Sequence, residues 1–191
     1  FQSASSSNVS GGIEILSAKH VNLTNITITG MKAAHGGGLS VSCKASDNTQ
    51  FYMNSLNISN CTAENGGAMF IDGVANISLE NSILDGNIAY STRSNKGYGG
   101  GIYYSADSED QIFKIDSTVS FLNNYASKTG GALYYDTFKF SSIGSATFEN
   151  NSATYGSDLG SFPISVGLIT SPDPLLIEEY VKLVDPYFDY I

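Results

Sequence analysis

Tryptophan is absent from this 191-residue chain, arginine occurs once, at Arg93, and only 14% of the residues are charged. Nine Lys and Arg stand against 18 Asp and Glu, giving a net charge of −9. The clustered cations that hold nucleic-acid phosphates are therefore missing, and nucleic acid is excluded as a partner. No apolar run approaches the ~20 residues of a helical membrane span, so no membrane insertion is expected. Cysteine is scarce too. Cys43, Cys61, His20 and His35 are the only soft ligands, and their spacing suits no metal; no metal and no cofactor are expected. Proline is missing from the first 162 residues, and Pro163, Pro172, Pro174 and Pro186 are crowded into the last 29. Because proline cannot donate to a β-ladder, a regular sheet structure should end near residue 160.

What remains is Gly, Ser, Thr and Asn with a modest apolar fraction, the balance of a β-rich secreted or cell-surface protein. The length suffices for one well-buried domain. The chain opens on Phe1 rather than Met, which reads as the edge of a processed or truncated segment.

One phrase recurs five times: a large apolar residue, two places on a Gly or Asn, three further on an Ala. The copies are Ile28/Gly30/Ala33, Ile58/Asn60/Ala63, Leu84/Gly86/Ala89, Phe121/Asn123/Ala126 and Phe148/Asn150/Ala153. A glycine phrase follows each one: Gly36-Gly-Gly-Leu39, Gly66-Gly-Ala-Met69, Gly99-Gly-Gly-Ile102, Gly130-Gly-Ala-Leu133 and the decayed Gly156-Ser-Asp-Leu159. Their starts lie 30, 33, 31 and 26 residues apart, and Gly11-Gly12-Ile13 is a partial earlier copy. This period suits one coil of a parallel β-solenoid, with loops of variable length hung on constant strands.

The columns of the repeat assign an inside and an outside. Gly30, Asn60, Gly86, Asn123 and Asn150 are the residue types that adopt a left-handed backbone most readily, so the chain turns a corner there. Alternation before the corner places Ile26 and Ile28, Leu56 and Ile58, Val119 and Phe121 inward. Leu39, Met69, Ile102, Leu133 and Leu159 form a second inward column. After the corner, Asn87, Asn124 and Asn151 should stack as an inward ladder about 4.8 Å apart. One place beyond the second column, Phe70, Tyr103 and Tyr134 should form an outward aromatic stripe for a partner surface or a glycan. A loop or the C-terminal tail packing over that stripe is the competing expectation.

The expected organisation is a lead-in over residues 1–12, repeats over 13–160, and an acidic, proline-bearing cap or tail over 161–191. From Asp173 a short capping helix and an extended strand both fit. Tyr90–Tyr98 and Ser105–Gln111 read as polar surface loops. Asn8, Asn22, Asn25, Asn57, Asn60, Asn76 and Asn150 head Asn-x-Ser/Thr triplets and are candidate glycosylation sites. A disulfide between Cys43 and Cys61 and a pair of separate thiols, one on the inward column, are both compatible with the sequence.

Enzyme chemistry finds little support. Asp72, Asp85, Asp107, Glu109 and Asp110, with Arg93 as base, would be the groups of a polysaccharide lyase or hydrolase, yet they fall in loops and corners without mutual spacing. His35-Gly-Gly-Gly lacks a nucleophile elbow to serve, and Gly97-Tyr-Gly-Gly-Gly lacks the dinucleotide pattern. No catalytic residue is expected.

Phe121-Leu-Asn-Asn124 and Phe148-Glu-Asn-Asn151, paired with Gly66-Gly-Ala-Met69 and Gly130-Gly-Ala-Leu133, resemble the repeats of the polymorphic outer-membrane protein adhesins and of pectin-lyase-like surface proteins. The resemblance covers residues 13–160. It implies an all-β, single-stranded, right-handed parallel β-helix of about five to six coils, secreted and used for adhesion or surface structure. Ile28/Met31, Ile58/Cys61 and Leu84/Asn87 depart from the Phe-x-x-Asn pattern, and no translocator barrel is present, so the export route does not carry over. The expected function is an extracellular structural or adhesive module, a fibre subunit among the options, that associates end to end with itself or with flanking coils and contacts glycans or a host surface. The alternative is a carbohydrate-binding or pectate-lyase-like polysaccharide-cleaving domain.

Overall fold

The computed structural model describes residues 11–44, 49–74, 76–92 and 96–162, with the backbone of two further strands at 166–168 and 181–183. In chain order the strands are β1 (Ile13–Leu16), β2 (His20–Thr29), β3 (Leu39–Ser42), β4 (Gln50–Ser59), β5 (Thr62–Ala63), β6 (Met69–Asp72), β7 (Asn76–Glu80), β8 (Ile83–Asp85), β9 (Ile88–Ala89), β10 (Ile102–Ser105), β11 (Ile112–Ile115), β12 (Ser120–Leu122), β13 (Tyr125–Thr129), β14 (Leu133–Asp136), β15 (Thr147–Glu149), β16 (Ser152–Tyr155), β17 (Leu159–Phe162), β18 (Val166–Leu168) and β19 (Val181–Leu183).

Each coil contributes to three parallel sheets. The first runs β1-β3-β6-β10-β14-β17, the second centres on β4, which pairs β2 on one edge and β7 then β8 on the other, and the third runs β5-β9-β13-β16. Six strands stacked in the first sheet make a β-solenoid of about five turns. Register is in phase from coil to coil: Ile13, Leu39, Met69, Ile102, Leu133 and Leu159 pair in sequence. Because side chains alternate along a strand, in-phase pairing keeps every member of a column on the same side.

The corners are made by left-handed residues. Gly30, Asn60, Gly86, Asn123 and Asn150 have φ between 53° and 69°, and Gly36, Gly66, Gly99, Gly130 and Gly156, which open each glycine phrase, have φ between 57° and 70°. A third set, Asn25, Ser55 and Asn81, with φ of 56°, 56° and 47°, bends the second sheet midway. In these three coils the bend carries no glycine and has little signature in the sequence; in the last coil Gly144, with φ of 59°, lies against Ile115, Asp116 and Ser117 at the corresponding place. At Asn81 the long strand of the earlier coils breaks into β7 and β8, and the Ser82 hydroxyl accepts from the Leu56 amide at 3.0 Å across the break.

The core is sealed in the middle of the stack and opens at its ends. Met69, Ile102, Leu133, Ile58, Leu84 and Phe121 are fully buried, whereas Ile13 and Ile15 at one end, and Phe148 and Leu159 at the other, are half-buried. Beyond residue 162 the regular stack gives way to an antiparallel pair of β18 with β19. The capping helix allowed from Asp173 is not what Val181–Leu183 forms: these residues are extended and meet their backbone partners in β18. The rest of that segment lies outside the described residues, among which there is no helix.

Candidate functional site

The outer face of the first sheet gathers the most chemistry. Two outward columns run along it, one and three places after the inward aliphatics: Ser40, Phe70, Tyr103, Tyr134 and Ser42, Asp72, Ser105, Asp136. The aromatic column is present, but its rings face each other. Phe70 and Tyr103 stack at 4.9 Å and 9°, Tyr103 and Tyr134 at 5.2 Å and 25°. His35 closes one end against Phe70 at 4.7 Å, and Tyr98, from the loop ending at that residue, stacks on Tyr134 at 4.7 Å. Tyr134 is only 4% exposed, and Phe70 and Tyr103 are half-buried. The expectation of an open stripe is corrected accordingly: ring faces are occupied by neighbouring rings, and a loop residue covers the last of them.

Carboxylates flank the rings. The Tyr103 hydroxyl donates to Asp136 Oδ2 at 3.3 Å. Burial, and then the negative charge of Asp136, pushes the phenols of Tyr103 and Tyr134 well above their ordinary range. Asp72 is half-buried, and desolvation raises its carboxyl pKa; hydrogen bonds from Ser105 and Ser42 oppose the shift, while Asp107 and Asp136 add to it. So the fold brings Asp72 and Asp107 together, as a lyase reading would want. It adds Asp136, which the sequence reading missed although it stands three places after Leu133, as Asp72 does after Met69.

The other acidic candidates disperse. Asp85 accepts from Asn123 Nδ2 at 2.8 Å at the corner after the second sheet, Glu109 and Asp110 are exposed on their loop, and Arg93 lies outside the described residues. Among the described residues no group of three or more His, Cys, Asp or Glu is arranged to hold a metal. His35 stays below its ordinary pKa, mainly through burial and then the Lys96 charge; Lys96 itself pairs with Glu64.

Asn87, Asn124 and Asn151 form an inward ladder with a defined task. Asn87 Nδ2 donates to Asn124 Oδ1 at 3.0 Å, and Asn124 Nδ2 to Asn151 Oδ1 at 3.1 Å. Each also serves the corner of the coil before it: Asn124 Oδ1 accepts from the Asn87 amide and Asn124 Nδ2 donates to Leu84 O. The left-handed bend turns these backbone groups out of the sheet ladders, and a buried amide side chain is what satisfies them.

The two cysteines are separate thiols. Cys43 follows the first sheet, with Sγ 3.8 Å from Ala18 O; Cys61 opens the third sheet, with Sγ 3.4 Å from Ser59 O. They occupy different corners of the coil with the second sheet between them, so the disulfide does not form. Burial raises the Cys61 thiol pKa.

Of the glycosylation candidates, Asn22, Asn25, Asn57, Asn60 and Asn150 are exposed and Asn76 is half-buried, while Asn8 lies outside the described residues. Asn22, Asn25, Asn57 and Asn76 lie in the second sheet, and Asn60 and Asn150 at the corner that follows it. Among the described residues none of them lies on the first sheet. A shallow depression of about 560 Å³ on the second sheet runs past His20, Asn22, Tyr52, Asn76, Ile112 and Lys114.

The continuous parallel sheets, left-handed corners and inward amide ladder define the chain as a parallel β-solenoid. No protein-family model, curated protein or solved structure matches it.

Proposed function

We propose that the chain is an extracellular structural or adhesive β-helix module, of the kind its repeat resembles in the polymorphic outer-membrane protein adhesins and pectin-lyase-like surface proteins. The observation that carries this reading is how the distinctive side chains are used. The asparagines seal corners, the aromatic rings stack on one another, and the glycines admit the next coil, so each column serves stacking. The exposed sequons on one side fit a secreted glycoprotein.

A carbohydrate-binding or polysaccharide-cleaving domain is the second reading, favoured by Asp72, Asp107 and Asp136 beside Tyr103. A glycan array and an unsaturated-product and reducing-sugar assay on polyuronides separate the two. The structural reading expects no turnover above a variant carrying Asp72→Asn, Asp107→Asn and Asp136→Asn. Turnover that this variant abolishes would replace it with the enzymatic reading.

A further inference from the structure

The second glycine of each phrase is fixed by the coil that follows it. A Cβ placed on Gly11, Gly37, Gly67, Gly100 or Gly131 would lie 2.6, 2.4, 2.3, 2.2 or 2.2 Å from the carbonyl oxygen of Gly37, Gly67, Gly100, Gly131 or Ser157 respectively. These separations are well inside van der Waals contact and the obstacle is backbone, so a side chain there and a further coil in this register exclude each other. The third position is looser and takes Gly or Ala. In the last coil the same two positions are Ser157 and Asp158, both exposed. Their carbonyls still pair backward with the Ala132 and Leu133 amides, so the coil keeps the register of the others.

Asp158 also finishes the asparagine ladder. Asn87 and Asn124 each donate Nδ2 to the Oδ1 of the next asparagine; Asn151 instead donates Nδ2 to Asp158 Oδ1 at 3.0 Å. A carboxylate in the coil's own glycine phrase thus takes the place of the asparagine a following coil would bring.

We infer that the two ends of the solenoid are of opposite kinds. The C-terminal end rejects a further parallel coil through Ser157 and Asp158. The N-terminal end accepts one, provided that coil carries the intact glycine phrase. At the accepting end the inward Ile13, Ile15, Val21 and Leu23 are only half-buried, and a coil added there would set the second residue of its phrase against the Gly11 carbonyl as Gly11 itself sits against Gly37 O. A second copy of this chain cannot be the occupant, because head-to-tail stacking would set the Gly11 carbonyl of one copy against the Cβ of Ser157 in the other. The occupant is a parallel coil of the same repeat with glycine where this chain has Ser157. The inference stands on the stacking geometry and holds whichever reading of function is correct.

The test restores the repeat in the full chain. Ser157→Gly with Asp158→Ala gives the C-terminal coil the phrase found at Gly130-Gly-Ala, and sedimentation velocity over a range of concentrations reads self-association. The parent should stay monomeric while the variant forms head-to-tail oligomers that grow with concentration. A parent that stacks head to tail, or a variant as monomeric as the parent with an unchanged circular dichroism spectrum, would overturn the inference. The reciprocal change, Gly131→Ser with Ala132→Asp, moves the same pair beneath an existing coil. It should lower the thermal midpoint markedly; an unchanged midpoint would remove the steric basis of the proposal.

Discussion

At the residue scale, the most heavily committed side chain is Asn124. It is fully buried and bonds the Asn87 amide, the Asn87 side chain, Leu84 O and Asn151. Asn124→Ala leaves a buried donor and acceptor without partners, and the expected loss is on the order of 2–5 kcal/mol in a urea titration. A loss below the error of the titration would show that the ladder is incidental. Asp72 acts with the opposite sign. Its pKa is raised in the folded state, so the fold binds its proton more tightly than the unfolded chain does, and its contribution becomes less favourable as pH rises through the folded pKa. Asp72→Asn should therefore raise the thermal midpoint at neutral pH, with the gain vanishing below the unfolded value near pH ~3.9. A midpoint that falls at neutral pH would mean that the Ser42 and Ser105 hydrogen bonds outweigh desolvation.

At the scale of the element, the glycine phrases control strand stacking. Gly100→Ala places a methyl 2.2 Å from Gly131 O and 2.5 Å from Tyr125 O, a clash between backbones that no rotamer relieves. Roughly 3 kcal/mol of destabilisation is expected, the upper end for overpacking, whereas Ser157→Gly should change stability little; equal effects at the two sites would contradict the stacking argument. Much of this level was legible in the sequence, because a left-handed corner selects Gly or Asn and an inward position selects aliphatics. The bend at Asn25, Ser55 and Asn81 was not, since Ser at φ 56° has no distinctive signature. Nor was Asp136, because the sequence reading followed the aromatic column and not the one beside it. The aromatic stripe was legible as a column, with cover by a loop or the tail as one of two expectations; that Tyr98 stacks on Tyr134 was not legible, for it arrives from a loop whose path no periodicity encodes. From Asp173 a helix and a strand were both legible, because Asp173-Pro-Leu satisfies local helix-start rules; that Val181–Leu183 is extended and pairs antiparallel with a strand ending thirteen residues upstream of Val181 was not.

At the scale of the whole molecule, the solenoid has polarity. Its central coils are dry, the N-terminal coil leaves an apolar column open, and the C-terminal coil carries a serine and an aspartate where stacking needs glycine and a small residue. The glycosylation candidates among the described residues gather on the second sheet and its following corner, and none of these is on the outer face of the first sheet. Such a body is suited to ending a stack rather than to repeating within one. The most direct measurement is electron microscopy of the native particle with a gold label at residue 191. The account predicts a rod labelled at its tip, continuing from the N-terminal side of this chain. Labels spaced regularly along a filament, the mark of copies stacked head to tail, would contradict it.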